Sequence, residues 1–367
     1  MKAAVLHAVQ EPLVVEDVDI GSPGPGAVQV RVVASGVCHT DYSAITGAIP
    51  LALPSILGHE GAGIVEEVGI GVTAVRPGDH VVLSWAPYCG RCFFCANGKH
   101  VLCENRVRTF DKPEDSPLRL HSDKSPVSPF VLGTFAERVI VPEISCVKIP
   151  DELPLDKACL LGCAVMTGVG AAINTAQVTP GSSAVIFGCG GIGLNIIQGC
   201  SLAGAEIIIG VDLQPNKLDY ALQFGATHTL NGGILGDSKA VEAAVRELTH
   251  GRGADYAFEA IGRPQTIEQA FACTRQGGTT VVVGAPRFDE TITLPAFFMH
   301  ERIIKGCNYG SSQPHRDLPR LVGLYLAKRL KLDELVSRTF PLSGVNEAFE
   351  LMKREEVARS VLLMPEV

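Results

Sequence analysis

Charged residues are scarce in this chain, 19% of 367 residues, against a usual fraction of about one quarter. No stripe of Lys and Arg appears and the formal net charge is −8, which argues against a nucleic-acid-binding surface. No apolar run approaches the roughly 20 residues of a membrane span. The opening residues, Met1 to Glu16, hold a single lysine and a short apolar run. They lack the apolar length of a secretory leader and read as a first strand. No internal repeat is present. These absences point to a cytoplasmic chain with no nucleic-acid or membrane partner. What the chain has instead is glycine, 39 residues, and 46% hydrophobic residues, the composition of a sheet-rich globular protein. At this length a single core usually stops growing, so two domains are expected. There are twelve cysteines, which in a cytoplasmic chain do not form a disulfide framework.

Residues 1–150 are punctuated by Gly and Pro and carry short β-rich runs at Val28–Ala34, Gly63–Val68, His80–Ser84 and Ala136–Val141. This texture predicts a barrel-like or antiparallel β domain. Residues 104–133, rich in Pro and charge, read as a long loop. From about residue 152 the pattern changes. Strands are expected at Ser183–Phe187, Glu206–Asp212, Ala254–Glu259 and Thr279–Gly284, with helices between, as in a doubly wound parallel sheet. Beyond Lys305, helices are expected over Leu318–Leu330 and Val345–Met352.

Gly188-Cys189-Gly190-Gly191-Ile192-Gly193 follows an apolar strand and opens a helix, and Asp212 ends the next strand. Alone a GxGxxG hexapeptide is weak; in this setting it predicts a dinucleotide site. Gly188 permits the tight turn, Gly190 lets backbone approach a pyrophosphate, and Gly193 allows close helix–strand packing. The phosphates would meet the positive end of the helix. The Asp212 carboxylate accepts ribose hydroxyls and repels a 2′-phosphate, which favours NAD over NADP. Lys217 is expected near the adenosine ribose. The competing reading is a glycine-rich turn without a ligand.

Cys89, Cys92, Cys95 and Cys103 fall within one short segment. Closely spaced cysteines wrap one ion, and a fourth one loop later closes a tetrahedral four-thiolate shell. Such a shell leaves no open position, so the ion would be structural. An iron–sulfur cluster takes the same ligands and stays open as an alternative.

Cys38-His39-Thr40-Asp41, Gly58-His59-Glu60-Gly61-Ala62-Gly63, the four-cysteine segment, Gly162-Cys163, Gly188–Gly193 and Gly344-Val345-Asn346-Glu347-Ala348-Phe349 occur in a recognisable order. In order and spacing the chain resembles the medium-chain, zinc-dependent alcohol dehydrogenases over essentially its whole length. The resemblance implies a GroES-like β-barrel catalytic domain, residues 1–163, with a Rossmann cofactor domain inserted at 164–303. Residues 304–367 would return to the catalytic domain. It further implies NAD and two zinc ions per chain, a small alcohol or aldehyde as substrate, and a homodimer or homotetramer. Cys38, His59 and Cys163 would hold the catalytic zinc, with the fourth position open to water or substrate. Zinc lowers the pKa of a bound alcohol, which then delivers hydride to the nicotinamide. By the same resemblance Asp41 would orient His59, Glu60 would lie just behind the metal, and Thr40 would take the alcohol proton. His39 and Arg359 would contact the cofactor pyrophosphate. Trp85, Ile49, Leu51 and Phe110 would line the substrate pocket or its entrance.

The expected activity is NAD-dependent oxidation of a primary, apolar or aromatic alcohol to its aldehyde. One alternative is the glutathione-dependent formaldehyde dehydrogenase branch, which holds glutathione with acids just after the Thr-bearing segment. Here that stretch, Gly47-Ala48-Ile49-Pro50-Leu51-Ala52-Leu53, has no acid. A polyol or other secondary-alcohol dehydrogenase fits less well, because many of those replace the second catalytic cysteine with an acid. A non-enzymatic NAD-binding relative is opposed by the complete Cys38, His59 and Cys163 set. The sequence departs from many relatives at Ser43, where their proton relay ends on histidine. Ser43→His is expected to change the pH profile of turnover more than the KM for alcohol. A pH–rate profile identical to that of the parent protein would remove this position from the proton path.

Overall fold

The structure, a computed structural model, describes residues 1–106, 113–285 and 289–365. The chain forms two compact units, one of Met1–Cys163, Gln313–Ala327 and Leu332–Val367, the other of Ala164–Ser312 and Lys328–Lys331. The first stretch holds β1 (Lys2–Leu6), β2 (Val14–Ile20), β3 (Ala27–Gly36), α1 (His39–Ile45), β4 (Glu60–Val68), β5 (His80–Leu83), β6 (Arg138–Pro142) and β7 (Cys146–Lys148). The inserted unit holds β8 (Ser183–Phe187), α2 (Gly191–Leu202), β9 (Ile207–Asp212), α3 (Pro215–Gln223), β10 (His228–Asn231), β11 (Ala254–Glu259), α4 (Pro264–Cys273), β12 (Thr274–Val282) and β13 (Ile303–Gly306). The return contributes α5 (Pro314–Leu326), β14 (Val336–Pro341), α6 (Val345–Lys353) and β15 (Arg359–Leu363).

In the first unit β3 is the central strand. Its alternation puts Val28, Val30 and Val32 inward and leaves Gln29 and Arg31 half-buried, the period of a strand with one face on a core. The sheet runs β7-β5-β4-β3-β15-β14, with β6 also on β3. Two registers set the geometry of the barrel end: Gly36 stands opposite Glu60 on β4 and opposite Val361 on β15. Three segments distant in sequence are thereby placed together, the chain after β3, the start of β4 and the start of β15. Phe135, Leu83, Leu57 and Phe349 pack in the core behind them.

In the second unit six parallel strands run in the order β10-β9-β8-β11-β12-β13. All five residues of β8 are buried, as expected where helices cover both faces of a parallel sheet. The strand order reverses between β8 and β11, the switch point at which such sheets open a crevice at their carboxyl ends.

Two differences from the sequence reading have physical causes. The inserted unit runs to Ser312 rather than closing at 303, because β13 adds to the sheet edge and Gly310 packs on Gly170. The helix expected over Leu318–Leu330 spans Pro314–Leu326. Pro314 starts it with a ring already set for the first turn, and Lys328 with φ 57° lies beyond its end. Of the long loop at 104–133, residues 107–112 lie outside the described residues. Among the described residues no single helix is long and apolar enough to cross a membrane.

Asp255 on β11 ties this strand to β8. Its carboxylate accepts from the Ser183 N–H at 2.8 Å and hydroxyl at 2.7 Å, and from Arg275 Nε at 2.6 Å. Burial alone would raise this carboxyl, but those donors outweigh it and hold it below the ordinary 3.8. A carboxyl depressed on folding contributes stability that is complete above its unfolded pKa and drains as pH falls through the folded value. Asp255→Asn is therefore expected to cost about 1 kcal/mol at pH 7 for this partly solvated group. The Tm gap to the parent protein should close below about pH 4. A gap of the same size at pH 3 and pH 7 would refute the assignment.

Candidate active site

In the first unit the chain leaves β3 at Gly36 and enters α1 through Cys38, so His39, Thr40 and Asp41 form its first turn. Glu60 opens β4, with His59 just before it. A 3₁₀ turn over Cys159–Gly162 delivers Cys163. Ligand atoms of Cys38, His59, Glu60 and Cys163 all lie within 4.8 Å of one another, and all four residues are buried. Asp41 is fully buried, and its Oδ1 accepts from the Gly58 N–H and from His59 Nδ1, each at 3.0 Å. That bond fixes the imidazole orientation and leaves Nε2 as its free ligand atom. Thr40 is half-buried with Oγ1 3.8 Å from Cys38 Sγ. His39 is exposed and edge-on to Tyr42.

These buried groups perturb one another's protonation. A hydrogen bond from Cys163, against the cost of burial, holds the Cys38 thiol well below its usual range, with His59 and Arg359 contributing. That same bond and burial push Cys163 well up. Burial disfavours a charged imidazole, but Asp41 and Cys38 outweigh it and raise His59. Burial pushes the Glu60 carboxyl up to about 8 against the pull of Arg359. Asp41 Oδ2 and Glu60 Oε2 are buried with no hydrogen-bond partner among the described residues. Two thiols, an imidazole and a buried carboxylate fit a divalent soft-to-borderline metal such as zinc.

Arg359, expected to contact the cofactor pyrophosphate, has protein partners of its own. It opens β15, is buried, and donates through Nη2 to Glu60 Oε1 and through Nη1 to the Val37 carbonyl. Its partner was not legible in the sequence, because the Gly36 registers, not spacing, bring positions 60 and 359 together. Trp85 is half-buried against the barrel core, with the Arg106 guanidinium 5.8 Å from its ring centroid. Leu51 packs on the same core and Ile49 donates its N–H to the Ser43 carbonyl. Phe110 lies outside the described residues.

The four-cysteine segment forms a second group. Cys92 caps the N-terminus of a short helix, Phe93–Ala96, Cys95 lies within it, and Cys103 follows a 3₁₀ turn. A tetrahedral shell with Zn–S bonds of about 2.3 Å separates its sulfurs by about 3.8 Å; Cys92 and Cys103 Sγ stand 3.9 Å apart. The backbone N–H groups of Cys95 and Glu104 aim at Cys92 and lower its thiol to about 6. The Arg91 N–H, with that of Cys92, lowers Cys89. Burial pushes Cys95 up to about 12.

In the second unit Gly188 has φ 91° and donates its N–H to the Val211 carbonyl. A Cβ on Gly193 would stand 1.8 Å from the Gly188 carbonyl oxygen, whereas one on Gly190 would meet nothing within 4 Å. The turn is thus tight where the backbone folds on itself and open at Gly190, the N-cap of α2. Gly191 and Ile192 complete the first turn with Gly193. Asp212 closes β9; its Oδ2 accepts from the Cys189 N–H at 2.8 Å and its Oδ1 from Leu213 and Gln214 N–H. A carboxylate offers about four lone-pair sites, so capacity remains for a ribose hydroxyl. Lys217 lies in the first turn of α3, half-buried. This is a cradle of the shape and polarity that suits a dinucleotide.

Residues 24–151 match the family described as alcohol dehydrogenase GroES-like domain, and residues 191–326 that described as zinc-binding dehydrogenase. The chain is 42% identical to the alcohol dehydrogenase class-3 of Drosophila melanogaster, covering 98% of this chain and 97% of that protein. The chain belongs to the medium-chain, zinc-dependent alcohol dehydrogenase family. It is also 39% identical to the S-(hydroxymethyl)glutathione dehydrogenase of Paracoccus denitrificans over 99% of both chains. The crystal structure of benzyl alcohol dehydrogenase from Acinetobacter calcoaceticus superposes with TM-score 0.92 at 32% identity, over 99% of each chain. The fold is accordingly a GroES-like β domain with an inserted Rossmann domain. The cofactors of this family are NAD and zinc, in a catalytic and a structural site, and the chain has a thiolate group suited to each. The structural zinc of this family, rather than an iron–sulfur cluster, is the ion that the four-thiolate group suits. Cys103→Ala should lower zinc content from two per chain to one and destabilise the fold by roughly 3 kcal/mol, about 6–12 °C in Tm. An unchanged Tm with both zincs retained would exclude a structural role.

Proposed function

We propose that this protein oxidises primary apolar or aromatic alcohols to aldehydes with NAD, and runs the reverse reaction. The observation that carries this reading is the acid-free segment Gly47–Leu53 directly after α1, with Leu51 and Trp85 packed at the barrel core. An ionic thiol adduct finds no complementary carboxylate there, while an apolar chain or ring finds apolar surface.

Cys38, His59 and Cys163 hold the catalytic zinc in this proposal, and Cys89, Cys92, Cys95 and Cys103 the structural one. Bound zinc supplies the Lewis acidity that brings an alcohol's pKa toward neutrality. Asp41 keeps His59 in the tautomer that presents Nε2. Thr40 Oγ1 accepts the alcohol proton and passes it on. Glu60, held by Arg359, stands beside the two cysteines as an acid available during ligand exchange. Gly188, Gly190, Gly191, Ile192 and Gly193 receive the pyrophosphate, Asp212 the adenosine ribose and Lys217 its rim; His39 adds a further phosphate contact. NAD, when bound, would supply the hydride acceptor, and the Thr40 hydroxyl would relay the alcohol's proton onward by accepting it and releasing its own. All twelve cysteines are unpaired, which suits a reducing cytoplasmic compartment, and we propose a homodimer.

The second reading is S-(hydroxymethyl)glutathione oxidation, favoured by the similarity to a protein of that name. NADH formation by the zinc-loaded protein separates them. Benzyl alcohol and long-chain alcohols should give kcat/KM at least tenfold above formaldehyde plus glutathione, a difference of about 1.4 kcal/mol in transition-state binding. Turnover of the glutathione adduct alone would reverse the assignment.

A further inference from the structure

Glu259, the last residue of β11, is fully buried. Its Oε1 accepts three hydrogen bonds, from the N–H of Ile261 at 3.0 Å, the N–H of Gly262 at 2.7 Å and the Thr266 hydroxyl at 2.7 Å. Its backbone carbonyl accepts two more, from Val283 at 2.8 Å and Gly284 at 2.9 Å. It stands opposite Phe187 on β8 and Val282 on β12. One residue thus gathers the loop after β11, through its side chain, and the loop after β12, through its main chain. The loop after β8 joins them by contact: a Cβ on Gly188 would lie 2.7 Å from Cγ1 of Ile261, so that side chain is seated on the glycine turn. These are the three loops at the carboxyl end of the sheet around its switch point, where open parallel sheets bind dinucleotides.

The arrangement is more than stability alone requires. No ion pair to Glu259 exists among the described residues, and its Oε2 is buried without a hydrogen-bond partner. Burying a carboxylate without a cation is costly. Charge-assisted bonds from N–H groups are about twice as strong as neutral ones, which makes a carboxylate the stiffest clamp for these loops. We propose that Glu259 is a positioning residue for NAD: it acts through Ile261, Gly262 and Thr266 to keep the loop beside Gly188 in the shape the cofactor meets.

This inference rests on the NAD-dependent reading above, and direct cofactor binding to the zinc-loaded full chain tests the two separately. NADH is titrated by its fluorescence, and KM for NAD and kcat are measured with benzyl alcohol, alongside Tm. Glu259→Asp keeps the charge but withdraws it by one methylene. It should raise the Kd for NADH and the KM for NAD about tenfold with kcat within about threefold. Glu259→Gln, which keeps an acceptor in place but removes the charge, should give an intermediate loss. Thr266→Val, which removes one donor, should give an intermediate loss. A Kd within about twofold of the parent for both Glu259→Asp and Thr266→Val overturns the proposal. So does a fall in kcat or Tm without a change in cofactor affinity. Should Glu259→Asp fail to fold, Thr266→Val decides alone. Failure of the parent protein to bind NADH would remove the dehydrogenase reading itself.

Discussion

The barrel depends on a buried ion pair between the start of its fourth strand and the start of its last. Glu60 and Arg359 are both almost without solvent, and burying two charges is expensive unless their geometry and further hydrogen bonds compensate. Here the guanidinium also reaches the Val37 carbonyl, so it holds β15 and the chain leading into Cys38 at once. Losing one partner of such a pair strands a charge, which typically costs about 3–5 kcal/mol. The same pair sets the charge balance around Cys38, His59 and Cys163. The fold's closure and the chemistry of the metal group therefore rest on one contact.

The second unit reaches order by a different route. At the carboxyl ends of β9 and β11 its carboxylates are met by backbone N–H groups: Asp212 by Cys189, Leu213 and Gln214, and Glu259 by Ile261 and Gly262. Such contacts fix loop shape without placing a cation in the crevice. A cation-lined floor would bind phosphate indiscriminately; main-chain donors plus an acceptor for ribose select a nucleotide by form.

Much of this was legible in the residues, and where it was not the reason is physical. Ser183–Phe187 and Ala254–Glu259 have the bounds expected of them; for the first, a strand buried on both faces reads as a near-continuous apolar run between turn residues. The cysteine and glycine motifs were readable because each is local: spacing along the chain nearly determines spacing in space. The protein contacts of Arg359 and of Glu259 were not legible for the opposite reason. Arg359's partner lies far away in sequence and meets it only through strand register, and Glu259's partners are mainly backbone groups, which have no sequence signature. The helix at Pro314–Leu326 was displaced because amphipathic periodicity continues past its end, while the left-handed backbone at Lys328 leaves no mark in that pattern.

The insertion at Cys163 has a consequence for the order of assembly during synthesis. All residues of both thiolate groups lie within the first 163 positions, so a nascent chain can present complete metal ligands early. The strand that brings Arg359 is translated nearly last, after the whole inserted unit. At about 5–20 residues per second the interval is roughly 10–40 s. Until that last strand arrives, β3 lacks a strand that pairs with it in the folded chain, and Glu60 lacks its arginine partner. Metal capture before the last strand arrives would supply the missing positive charge, making the ion a temporary stand-in for the arginine.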